Sequence, residues 1–158
     1  MQFYVESFKT FNKLLDLGVT LSKLSSVSCQ TIMHRSALMQ QGAASLQWQQ
    51  NEAQTMALEK VDAAEQGSQV LWKGWVEMNQ SLLGTSERNL QRFNRIKIPS
   101  TPFDLITTQK QWFKATELSA VDTLKLSDEV IDTLNKSIKP AFRYASGNAE
   151  RLSIRKQR

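Results

Sequence analysis

The chain has 158 residues, 41% hydrophobic and 22% charged, which suits about one domain with some core and excludes a compositionally disordered polymer. Three prolines and six glycines are too few for a sandwich or barrel turning every ~8–12 residues; the single Cys29 excludes an internal disulfide and a multi-cysteine zinc site, and the single His34 removes most histidine-based metal and catalytic arrangements. The net charge of +5 belongs to the C-terminal end, because residues 1–138 carry 14 basic and 14 acidic side chains, whereas the last 20 carry Lys139, Arg143, Arg151, Arg155, Lys156 and Arg158 against Glu150 alone.

No proline occurs between Met1 and Ile98. Phe8, Phe11, Leu14, Leu15, Leu17, Leu21 and Leu24 recur at spacings of three, four and seven, which predicts a first amphipathic helix. Its stripe continues weakly through Val27, Ile32, Met39 and Leu46. Ser25, Ser26 and Ser28 compete for backbone hydrogen bonds, so the helix is expected to loosen over about 22–36. A turn is expected near 36–44, with Gly42 the best place for a reversal. The best apolar stretch, Leu14–Val27, is interrupted by Asp16 and Lys23 and is shorter than the ~20 residues a membrane span needs. No secretory segment is recognisable, and the lone thiol points to a reducing cytoplasm.

A second helix is predicted over about 43–94, with Leu46, Ala53, Ala57, Val61, Ala64, Val70, Leu71, Trp75, Met78 and Leu82 on its stripe. Small residues on that stripe allow close backbone approach but bury little area, and Gly67, Gly74 and Gly84 each cost up to ~1 kcal/mol against Ala. Such a helix needs partners. The pair Trp72 and Trp75 flanks Lys73, an arrangement suited to a boundary between apolar material and water.

The clearest boundary is Lys97-Ile98-Pro99-Ser100-Thr101-Pro102. Pro99 biases Ile98 away from helix. Thr101 then suits an N-cap, Pro102 the first helical position and Asp104 the first turn. The third helix is predicted to run to about Lys139, where Pro140 should end or kink it. Its stripe reads Phe103, Ile106, Phe113, Ala120, Leu124, Ile131, Leu134 and Ile138, with Asp128, Glu129 and Asp132 read as a solvated face. Residues 146–158 are expected to form a flexible basic tail. Arg151, Arg155, Lys156 and Arg158 there could complement a helix dipole or contact an anionic surface, either nucleic acid or membrane.

Catalytic and cofactor signatures are missing. There is no Glu-x-x-His pair for a di-iron bundle and no glycine-rich phosphate cradle. Cys29 and His34 would point ~140° apart on a helix, too far for a nucleophile and its base. The expectation is an all-α protein of long amphipathic helices, forming an elongated bundle or coiled-coil-like assembly with no enzyme activity and no cofactor.

Pro102-Phe103-Asp104-Leu105, Gln109 and Trp112, opening a long helix that ends near Ile138-Lys139-Pro140, resembles the phasins of polyhydroxyalkanoate-storing bacteria. The likeness covers about residues 98–145, while the first hundred residues share only helical, amphipathic, Gln/Ala-rich character. The chain departs from the family in having more Trp, less Ala and no Ala/Lys/Pro-rich tail repeats. The resemblance implies a cytoplasmic, granule-associated coat protein that binds polyester non-enzymatically, alongside other granule-associated proteins, and oligomerises with itself. Candidate contact residues are Phe8, Phe11, Leu15 and Leu21, then Trp72 and Trp75, then Phe103, Ile106, Phe113, Leu124 and Ile131. The alternative is a coiled-coil or helical-bundle adaptor for a protein partner, its basic tail on an anionic surface.

Overall fold

The computed structural model describes residues 2–40 and 46–156, the side chains at 102 and 154–156 excepted. They form three α-helices: α1 Gln2–Gln40, α2 Leu46–Asn94 and α3 Pro102–Lys156. The all-α expectation holds.

Helix α1 does not loosen over 22–36. Within that segment the Thr31 hydroxyl bonds the Val27 carbonyl four residues back at 3.0 Å, which satisfies it without opening the turn. The reversal expected at Gly42 lies outside the described residues.

The boundary before α3 forms as the residues dictate. The last turn of α2 tightens, with Arg95 N–H bonding Gln91 O at 3.3 Å and Ile96 N–H bonding Phe93 O at 3.1 Å. Thr101 and Asp104 then build a reciprocal cap. The Asp104 N–H donates to Thr101 Oγ1 at 3.2 Å, and the Thr101 N–H donates to Asp104 Oδ2 at 3.0 Å. Two otherwise orphaned donors are satisfied, with Asp in the place usually held by Glu.

A second expectation is corrected. Helix α3 passes through Pro140 and continues to Lys156, so residues 146–156 are helix rather than a separate tail. Proline in a helix interior costs ~3 kcal/mol through the lost N–H bond and ring clash. Packing beyond it offsets that cost. Leu152 is buried to 2% exposure, and burying a Leu side chain contributes ~1.5–3 kcal/mol. Asn148 is buried as well and donates to Glu59 Oε2 at 2.6 Å.

Two compact units divide the helices. The first comprises Met1–Leu15 with Lys73–Asp132. Within it α1 runs parallel to α3, as Thr10–Asp128 and Lys13–Asp132 pair, and α2 runs antiparallel to α3, as Phe93 stacks on Trp112 while Arg88 approaches Asp122. Its buried apolar residues are Ala115, Val121 and Ile131. The second unit comprises Asp16–Trp72 with Thr133–Arg158. There α2 and α3 are antiparallel, paired at Glu52–Arg151, Glu59–Asn148, Asp62–Tyr144 and Gln66–Arg143. Gly67 is buried at this seam, where a Cβ would stand 3.0 Å from the Ser137 carbonyl oxygen. Close approach of two helix backbones is what this glycine permits.

Candidate functional site

The opening turns of α3, in the first unit, carry a dense group of exposed apolar side chains. Phe103 is 86% exposed and Phe113 69%, with Leu105, Ile106 and Trp112 at least half exposed. At 100° per residue these side chains sweep an arc of ~180°. Leu105, Thr108, Gln109, Trp112, Phe113 and Thr116 line a shallow concavity of about 440 Å³ along this face. Trp112 is anchored from below, its ring centroid 5.3 Å from that of Phe93. The Thr101–Asp104 cap fixes where the helix starts and therefore which way these rings face. On α1 of the same unit, Phe8, Phe11 and Leu15 are exposed, as is Trp75 on α2. In the second unit, Leu21 and Trp72 are exposed.

Three of the sequence-derived positions need correction. Ile131 is only 8% exposed and belongs to the core of the first unit, so it presents nothing to a surface. Leu124 is half-buried. Arg151, expected to contact an anionic surface, donates instead to Glu52 Oε1 at 2.8 Å and to Asn148 Oδ1 at 3.0 Å. The side chains of Arg155, Lys156 and Arg158 lie outside the described residues.

Two buried carboxylates escape a reading based on hydropathy. Asp128, assigned to a solvated face by its polarity, is 4% exposed. It accepts from Thr10 Oγ1 at 2.6 Å, and its Oδ2 lies 3.3 Å from Lys9 Nζ and 3.4 Å from Lys13 Nζ. Burial pushes its carboxyl up, but the Thr10 hydroxyl and the two ammonium groups outweigh this and hold it below its ordinary value. Lys13 is raised, chiefly by its 2.7 Å bond to Asp132. Glu52, 5% exposed, accepts on Oε1 from Arg35 Nε at 3.2 Å, Arg35 Nη2 at 2.9 Å and Arg151 Nη2 at 2.8 Å. A signal for both existed: Asp128 stands four residues after Leu124 and three before Ile131, and Glu52 stands four after Trp48 and four before Met56. Each is on an inward face by spacing.

No family model, curated protein or solved structure matches this chain. Among the described residues no helix is long and apolar enough to cross a membrane, and no group of three or more His, Cys, Asp or Glu is placed to hold a metal ion.

The second unit contains a solvent-open groove of about 540 Å³ lined by all three helices. Leu24 and Ile32 from α1, Met56 and Ala63 from α2, and Ala141 and Ala145 from α3 supply its apolar wall. The space opens to solvent, with Ile32 and Lys60 exposed on its rim, so it admits water or a ligand. Alanine where a bundle core usually places Leu is what leaves the room.

Proposed function

We propose that the protein is a non-enzymatic, phasin-like coat protein, which lays exposed apolar side chains on the surface of polyhydroxyalkanoate granules in the cytoplasm. The observation that carries this reading is the opening of α3, where Phe103, Leu105, Ile106, Trp112 and Phe113 stay at least half exposed in a fold that buries few large apolar residues. Soluble monomers rarely leave a contiguous apolar patch of more than a few hundred Å² uncovered, and such patches mark contact surfaces. The same turns contain the Pro102, Asp104, Gln109 and Trp112 on which the resemblance rests. Broad, shallow and apolar, this face suits an extended apolar surface bordered by water. In the absence of granules, copies of the chain cover it against one another.

The test is co-sedimentation with polyester particles. Phe103→Glu with Phe113→Glu places two charges on the patch without touching a buried residue, and should leave the helical circular-dichroism signal unchanged while releasing the protein into the supernatant. The fluorescence of the wild type should shift to the blue on adding particles, as Trp112 loses water. Undiminished sedimentation of the folded double variant removes the proposal. A wild type that is indifferent to particles but forms a stable oligomer favours the adaptor instead.

A further inference from the structure

We infer that the cavity of the second unit is a binding site for a linear aliphatic monocarboxylate, a single flexible chain with one anionic end. Size is the first argument: about 540 Å³ falls in the range of small-molecule sites, which run ~300–1,000 Å³. Chemistry is the second. The apolar wall is mostly aliphatic, Tyr144 being its one aromatic ring, so it suits a flexible chain better than a ring stacked between two others.

The polar groups decide the head group. Of those lining the cavity, Arg35 is held by Glu52, Tyr144 donates to Asp62, and Asn148 donates to Glu59. Lys60 lines the same cavity, is exposed, and makes no hydrogen bond or ion pair with any described residue. Its ammonium is therefore the cation with charge to spare at the solvent side of an apolar chamber. Arg35 is neutralised by Glu52, so the charges left on the lining are Lys60 and Glu59, and Lys60 is the one that bonds no described residue. On the lining itself Glu59 opposes an anion, and its engagement by Asn148 limits the repulsion, while Glu52 and Asp62 behind it are engaged by Arg35 and Tyr144. A carboxylate head at Lys60 with its chain among Leu24, Ile32 and Met56 satisfies both parts of the site.

The site shares no residue with the exposed face at the start of α3, and the variants distinguish the two. Titration calorimetry with dodecanoate below its micellar concentration should give one site per chain, and dodecanol should bind without the charged contribution. Lys60→Gln should weaken dodecanoate about fivefold, the size of one partly exposed ion pair, and leave dodecanol unchanged. Glu59→Gln, which still offers Asn148 an acceptor, should tighten dodecanoate. Ala63→Leu, which narrows the groove, should weaken binding of both ligands, whereas Phe113→Glu on the α3 face should alter neither. Several weak sites lost together on Phe113→Glu, no saturable binding of dodecanoate, or equal effects of Lys60→Gln on acid and alcohol would each overturn the assignment.

Discussion

Glu52 and Asp128 are buried almost equally, at 5% and 4% exposure, yet removing them should cost very different amounts. The difference lies in what each leaves behind. If Asp128 becomes Ala, Thr10 keeps its bond to the Glu6 carbonyl at 3.0 Å, Lys9 keeps Glu6 at 3.5 Å, and Lys13 keeps Asp132 at 2.7 Å. No partner is orphaned, and the loss should be ~1–2 kcal/mol, near that of a single charge-assisted hydrogen bond. If Glu52 becomes Ala, Arg151 retains Asn148, but Arg35, whose side chain is 12% exposed, loses both of its bonds and has no second acceptor among the described residues. An uncompensated buried charge costs ~3–5 kcal/mol. Urea unfolding followed by circular dichroism at pH 7 measures both. Asp128→Asn adds a pH signature. The folded carboxyl is held below its ordinary value of 3.8, so its stabilisation is fully present above that value and is lost as pH falls through the lower folded one. The gap between wild type and Asp128→Asn should thus be open at pH 7 and should close in strong acid. Equal costs for the two Ala variants, or a gap independent of pH, would refute the reasoning from partner redundancy.

Other substitutions test the backbone. Gly67→Ala should destabilise by ~1 kcal/mol despite a better helix propensity, because its Cβ meets the Ser137 backbone at 3.0 Å, whereas Gly84→Ala, whose nearest neighbour is the flexible Arg88 guanidinium at 3.8 Å, should stabilise by up to ~1 kcal/mol; thermal melts of the pair give the opposite signs. Pro140→Ala should stabilise by ~1–3 kcal/mol, since it restores a helix bond while keeping Leu152 and Asn148 in place, and an unchanged melt would mean that the proline is not strained. Thr101→Ala should cost ~1 kcal/mol and raise amide exchange at Phe103–Leu105, the turn that aims the exposed rings.

The helices were legible in the residue pattern because their causes are local. Proline-free stretches with three-four spacing gave α1 and α2, and the α3 start followed from Thr101, Pro102 and Asp104, which can cap one another within a single turn. The exposure of Phe103 and Phe113 was also within reach, since the apolar arc there is wider than one neighbouring helix covers. Periodicity places a residue on a face but does not say what that face meets. That is why Ile131 went inward while Phe113, on the same stripe, stayed out, and why Asp128 and Glu52 are buried beside lysine and arginine from helices distant in the chain. Proline likewise predicts a local penalty, whereas whether α3 survives it depends on Asn148, Arg151 and Leu152 finding partners on packing. Local stereochemistry thus determines where each helix starts and which of its faces is apolar. Only tertiary structure decides which charges are paired, which apolar residues are left to face another surface, and where a run of alanines leaves a chamber.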